Sequence, residues 1–323
     1  AAARRACDDV VYHEEPGAGH WWDSSPDRPG ADCVDWPPLM EFMQARTLDP
    51  FELDFRFRSP SPSYSAHHSY VTLGSARTPN EDLVIASERG EGDDESTVYL
   101  DTDNVRSLVL DGAALAMAGV ELVVIDDDPV AVLPEAIPVG PQDGKRPDLH
   151  GPYNQVFHRP HCYIYPDGDG PGASTWSDVA AYYATDWQII GNGHACALPR
   201  SAVTEELRND WNLIYLGLEP VAMGDPPVPF AWSAASIGYR AEYYNHAALL
   251  FVHPATAPSG ERRLMGAIVA PEGAEYLAYR AVPFSSRSGF PDFLLFDRGG
   301  VLSVGFFSAQ WRWDQGLAEG PAN

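Results

Sequence analysis

From Phe51 to Arg58 apolar and charged residues alternate without a break: Phe51, Leu53, Phe55 and Phe57 interleave with Glu52, Asp54, Arg56 and Arg58. A period of two is that of a strand with one buried face, because successive side chains on a pleated chain point to opposite sides. Short apolar runs follow at 68–73, 82–87, 96–101, 105–110 and 120–125, separated by Gly, Asn and Asp. Strands of this length, punctuated by turn residues, predict a β-sandwich-like region over 50–140. The charged stretch 88–95 reads as a loop inside it, and 138–148, rich in Pro and Gly, as the linker that closes it.

Beyond 150 the pattern changes. HCYIYP (161–166), NLIYLG (212–217), ALLFVHP (248–254), RLMGAIVA (263–270) and DFLLFD (292–297) are apolar nearly throughout, as in strands covered on both faces. Helices are predicted between them at 174–190, with Ser174 as N-cap, and at 271–280, led in by Pro271. This alternation predicts a doubly wound parallel α/β domain over 150–315. The chain then closes with a strand-like 301–307 and a Trp311-Arg312-Trp313 cluster. Ahead of residue 50 the picture is thinner. Val10-Val11-Tyr12 reads as a buried strand, Pro16-Gly17-Ala18-Gly19 as a turn, and 39–46 as a helix behind Pro37-Pro38. One strand and one helix enclose no core, so 1–48 is expected to be the remnant of a larger domain.

Composition narrows the function classes. The formal charge is −25, which excludes a general nucleic-acid surface because phosphates would be repelled. Lys145 is the single lysine, which fits a GC-rich coding bias with an acidic solvated surface, or adaptation to salt. With 45% hydrophobic residues and nine tryptophans the chain is globular in character. No apolar run reaches the roughly 20 residues of a membrane-spanning helix, so no membrane span is expected. The start, AAARRAC, has no initiator methionine and no apolar run behind its arginines. It reads as the interior of a longer chain rather than a signal peptide, and it gives no localisation.

Several groups invite a chemical reading. The four cysteines lack CxxC spacing, which disfavours a zinc ribbon; Cys7 and Cys33 flank the first turn and are either a bridge in an oxidising compartment or free thiols. DGDGPG (167–172) follows a predicted strand, and Asp167 and Asp169 begin like a calcium loop, but no glutamate stands at the twelfth position, so it reads as a turn. His161 and Cys162 would face opposite sides of one strand and so cannot share an ion with each other; His158 and His161 are read as structural, and His67 and His68 diverge likewise. Asp126-Asp127-Asp128 reads as a solvated strand end. Tyr182-Tyr183 and Tyr243-Tyr244 are either sugar-stacking platforms or core and rim. Neither a metal nor a cofactor is expected.

His20 is the candidate that organises the rest. A histidine delivered by a glycine-rich turn straight after a strand is how an α/β-hydrolase presents its base, and Trp21 and Trp22 would wall the imidazole from water. Gly19-His20-Trp21-Trp22-Asp23, after VVYHEEPGAG, resembles the end of the catalytic domain in prolyl oligopeptidase-type serine hydrolases. More closely, it resembles large members in which a GHWWD histidine precedes a long C-terminal extension. The similarity continues through NVRSLVLDG (104–112), GPYNQVFHRPHCYIYPDG (151–168), NLIYLG, ALLFVHP, PDFLLFD (291–297) and VGFFSAQWRW (304–313).

The resemblance implies hydrolysis of a peptide or ester bond by a serine, with His20 as general base. Trp21, Trp22 and Asp23 would support it; Asp23 would stabilise the turn without being the triad acid. Chain order departs from the pattern. These hydrolases run Ser, then Asp or Glu, then His, and position 20 leaves no room for the first two. Gly-x-Ser-x-Gly occurs nowhere, and Ser75 and Ser259 lack the second glycine. The chain is therefore expected to be the C-terminal portion of a longer enzyme, inert without its missing N-terminal catalytic portion. The alternative is that 50–323 forms a non-catalytic accessory module that positions substrate or mediates assembly.

Overall fold

The computed structural model describes residues 12–14, 16–22, 33, 36–47, 50–168, 171–217, 228, 230–280 and 290–319. Contacts divide the chain into two compact units, Ala1–Pro50 and Phe51–Asn323. In the first, Gly17 takes φ 78° in the Pro16-Gly17 turn, a conformation open to glycine without a Cβ clash. Helix α1 (Pro37–Gln44) starts on its proline pair and buries no residue. Of the expected strand, Val10 and Val11 lie outside the described residues, and Tyr12 is exposed and not in a strand.

The second unit begins with β1 (Phe55–Ser59), β2 (His67–His68), β3 (Val71–Ala76), β4 (Leu83–Arg89), β5 (Thr97–Asp103), β6 (Val105–Asp111), β7 (Leu122–Ile125), β8 (Asp128–Ala131) and β9 (Ala136–Val139). They make a five-stranded sheet, β1-β4-β5-β7-β8, and a four-stranded sheet, β2-β3-β6-β9. One core joins them: Val71, Leu73 and Leu108 of the smaller sheet lie with Ile85, Val98, Leu100 and Val123 of the larger. The period-two pattern carries through, as in β1, where Phe55 and Phe57 are half-buried and Arg56 and Arg58 exposed. Three elements lie beyond the sequence expectation: β8, β9 and the short helix α2 (Gly112–Met117), which Asp111 caps by accepting from the Ala114 N–H. Asp126 and Asp127 both take positive φ, 48° and 72°, and turn β7 tightly into β8.

The remaining strands are β10 (His161–Tyr165), β11 (Cys196–Pro199), β12 (Asn212–Leu216), β13 (Ala231–Trp232), β14 (Ile237–Tyr239), β15 (Glu242–Tyr244), β16 (Ala248–Thr256), β17 (Arg262–Val269), β18 (Phe293–Phe296), β19 (Val301–Gly305) and β20 (Ala318–Glu319). Eight of them form one sheet in the order β11-β10-β12-β17-β16-β18-β19-β20, and β13-β14-β15 form a small antiparallel sheet. The large sheet is parallel from β11 to β17 and antiparallel from β17 to β20. The expectation of a doubly wound parallel sheet is corrected on its second half. Residues 257–261 join β16 to β17, and so short a connection reaches only an antiparallel neighbour.

On the parallel half, α3 (Pro171–Ile190) crosses from β10 to β11 and packs on both, starting at Pro171 rather than Ser174. Helix α4 (Glu205–Asp210), capped by Thr204, leads into β12. The helix expected at 271–280 is a 3-10 segment, Glu275–Arg280.

The stretch 138–150 between the two cores is tied down. Arg106 donates to the Pro141 and Asp143 carbonyls and to the Asp143 carboxylate, and the Lys145 N–H donates to Ala309 O at 2.6 Å. At the far edge of the large sheet Cys162 and Cys196, register partners on β10 and β11, form a disulfide. The cysteine pairing therefore lies elsewhere than at the first turn: Cys33 is a free thiol, and Cys7 is outside the described residues. The bridge closes a sequence separation of 34 and pins an edge strand that pairs on one side. Replacing both cysteines by serine is expected to cost about 2–4 kcal/mol in a denaturant unfolding series, and an unchanged midpoint would show that β11 is held by its backbone ladder alone.

Candidate functional site

The structure places His20 on the exposed side of the Pro16-Gly17 turn, with Trp21 edge-on at 5.0 Å between ring centroids. Trp21 is itself 71% exposed, so it borders the imidazole without enclosing it. Trp22 turns instead toward His13, 5.8 Å away, which also lies 4.1 Å from Trp36. Asp23 falls outside the described residues. His20 makes no hydrogen bond among the described residues, and no serine or carboxylate there is joined to it. Among the described residues both ring nitrogens are therefore unspent, and an imidazole by itself is half of an acid–base device.

The other candidates resolve into structural roles. Asp167 Oδ1 accepts from the Ser201 N–H at 2.9 Å and the Ser201 hydroxyl at 2.6 Å, so the 167–172 loop is stapled to the segment after β11, while Asp169 lies outside the described residues. His161 is buried against Phe157, Tyr163 and Trp187, and Cys162, committed to its disulfide, is removed as a ligand. His158 sits edge-on to Tyr64. His67 meets the Thr72 hydroxyl, and His68 meets Glu52 between Phe55 and Phe57. Asp126 accepts from the Thr102 N–H and hydroxyl. Tyr183 is buried on Tyr163 with its hydroxyl donating to Ala278 O, whereas Tyr182 is exposed beside Tyr279. Tyr243 is exposed, and Tyr244 donates to Glu242. Among the described residues no three His, Cys, Asp or Glu side chains converge as metal ligands.

A polar cluster that the sequence reading passed over is buried between the two cores. Lys145 Nζ donates to Asp292 Oδ2 at 2.6 Å, with both side chains under 4% exposed. The Phe307 N–H donates to the same oxygen at 2.8 Å. His150 Nδ1 lies 3.4 Å from Ser61 Oγ, and Gln155 Oε1 accepts from the N–H groups of His150 and Gly151. Gly151 takes φ 81°, and a Cβ there would collide with Asp292 Oδ1. The cluster borders a cavity of about 20 Å³, room for roughly one water.

Ser61 beside His150 resembles a nucleophile and its base in outline, but the chemistry opposes it. Burial first, and then Lys145, push the His150 imidazole down to about 3, so it is a poor proton acceptor near neutral pH. Asp292 is pushed up by burial against the pull of Lys145. The cluster is a structural joint. One signal for it was legible: a lone lysine in a chain that otherwise writes arginine.

With this geometry in hand, comparison with known proteins adds no family: no family model and no curated protein matches the chain. No described helix is long and apolar enough to cross a membrane.

Two outcomes are expected from the buried groups. Lys145→Met leaves Asp292 buried without its cation and should destabilise the protein by about 3–5 kcal/mol, and adding Asp292→Asn should recover part of that loss. A single-variant effect below about 1 kcal/mol would mean that the pair is solvated in solution. The second outcome concerns acid. Burial holds His150 at about 3 and His161 and His253 at about 4 in the folded protein. Below an unfolded value of about 6.5, the unfolded chain gains protons that the folded one refuses, so stability is complete above that pH and is lost as pH falls toward 4. Unfolding near pH 5 should take up about three protons from these residues, and about one fewer in His253→Gln; a flat stability profile from pH 7 to 4.5 would refute the assignment.

Proposed function

We propose that the chain is the C-terminal portion of a prolyl oligopeptidase-like serine hydrolase that cleaves a peptide or ester bond. His20 is its general base, and residues 51–323 are a non-catalytic scaffold that follows the base. The observation that carries the reading is the His20 turn itself: a glycine at positive φ, an exposed imidazole free of hydrogen bonds among the described residues, and Trp21 edge-on beside it. In that setting His20 would take the proton of a serine supplied by the N-terminal portion and return it to the leaving group, oriented by a carboxylate from the same portion. Trp21 would shield one side of the ring, and Trp22, packed toward His13, would brace the turn.

The arrangement proposed is an α/β-hydrolase remnant, then a sandwich-like β region, then a mixed α/β sheet. A non-catalytic role for 51–323 is favoured by the chemistry of its buried histidines, which are held neutral and enclosed. The Cys162–Cys196 bridge favours an oxidising compartment.

The test uses the full-length protein. His20→Ala should leave its unfolding transition in place, because an exposed turn residue removes little packing, yet lower turnover about 10³-fold or more. Residues 1–323 alone should not react with a serine-directed phosphonate. Near wild-type hydrolysis by the variant would sink the proposal, and so would phosphonate labelling of the chain alone.

A further inference from the structure

On the parallel half of the large sheet lies a cavity of about 350 Å³, at the lower end of the range that holds small organic ligands. Local structure brings its lining together. Trp211 stands just before β12 and Leu213 and Tyr215 lie within it, at i, i+2 and i+4, so they share one side of the chain. Met265 on β17 is the register partner of Leu213 and extends the apolar wall. Arg200 enters from the 3-10 turn after β11, Arg208 from α4, and Arg263 from β17.

The charge is the anomaly. A chain with 46 acidic and 21 basic residues places three arginines around this cavity, and no Asp or Glu lines it. Arg263 is held from behind, with Nε donating to Asn209 O and NH2 to Glu261 Oε2. The guanidinium groups of Arg200 and Arg208 make no hydrogen bond or ion pair among the described residues. Arg200 acts on the Asp167 carboxylate, whose Oδ1 already accepts from Ser201. Both free arginines act on the Tyr215 hydroxyl, which burial keeps protonated as a donor. Two unengaged planar forks and a hydroxyl donor beside apolar walls form a receptor for a planar oxyanion on an apolar body.

We propose that this cavity binds the carboxylate of a small organic acid, with Arg200 and Arg208 on the carboxylate and Trp211, Leu213 and Met265 along its apolar tail. A phosphate would use the same cations and gain nothing from that wall. The proposal does not rest on the hydrolase reading.

The probes are 4-phenylbutyrate, its neutral amide and inorganic phosphate, titrated into the intact chain by calorimetry with Trp fluorescence in parallel. The acid should bind saturably. The amide should bind at least about tenfold more weakly, because one hydrogen bond to a charged group is worth about a factor of ten or more. Arg200→Ala and Arg208→Ala should each weaken the acid by a similar factor. Both side chains are exposed and make no hydrogen bond or ion pair among the described residues, so each variant should keep the wild-type unfolding transition, which is measured alongside. Arg240→Ala, whose guanidinium lies over Tyr239 and Trp313, is the control and should leave binding unchanged. Equal affinity for acid and amide would overturn the proposal, as would phosphate binding more tightly than the acid, full binding by folded Arg208→Ala, or no saturation of the acid at about 50 mM, where even an affinity of about 10 mM would show.

Discussion

The Lys145–Asp292 ion pair is the constraint on which the second unit turns. Asp292 sits where several elements meet: its carbonyl accepts from the Val252 N–H of β16, its N–H donates to Gly305 of β19, and its carboxylate accepts from Phe307 and Lys145. Lys145 in turn is anchored through its backbone to Ala309. Taking two charges out of water costs several kcal/mol each, and their attraction offsets this only where the geometry is good; Lys145 and the Phe307 N–H both meet Oδ2, while Oδ1 has no partner among the described residues. The close approach needs Lys145 and Asp292 brought together from 147 residues apart, so the pair ties the segment after the β core to the large sheet. The positive φ at Gly151 belongs to the same requirement, since the carboxylate occupies the space that a side chain would need.

Much of the fold was legible, and the reasons for success and failure are physical. Phe51 to Arg58 announced a half-buried strand because burial and exposure alternate with the pleat, and the continuous apolar runs announced strands covered on both faces. What local pattern does not carry is which strand lies beside which. ALLFVHP and RLMGAIVA look as suited to parallel as to antiparallel pairing, and the five residues left between β16 and β17 decide the matter. The hairpin at Asp126-Asp127 was hidden for a related reason: a pair of aspartates signals turn, metal and solvated end alike. Cys162 and Cys196 stand 34 apart in sequence, and only the parallel pairing of β10 with β11 makes them neighbours. Lys145 looked like linker because Pro and Gly surround it, although the same composition also serves a tightly bonded joint.

The candidate sites divide along the same line. His20 is a candidate that local sequence alone can raise, since a turn and the residue that follows it are local objects. The arginine-lined cavity was not, because Arg200, Arg208 and Arg263 come from three elements separated by an α/β crossover and a sheet register. Its electrostatic character is also invisible in a net charge of −25. Bulk acidity excludes a broad phosphate-binding face; it does not prevent one concave patch from carrying the opposite sign, and low-dielectric walls strengthen the field there.

The histidines show how burial sorts one residue type into different trades. His150, His161 and His253 are enclosed, and desolvation penalises their charged form until they no longer exchange protons near neutral pH. Such groups can serve packing and hydrogen bonding, as His161 does among Phe157, Tyr163 and Trp187. A general base needs the contrary environment: access to a reacting group and a ring nitrogen not already spent. His13, His67, His194 and His246 are also exposed, so exposure alone does not choose among them. His67 already shares a bond with Thr72. What distinguishes His20 is that it follows a glycine-bearing turn and is exposed, with Trp21 edge-on beside it. The catalytic proposal for His20 therefore rests on access and on the turn that precedes it, not on a shifted environment of the ring.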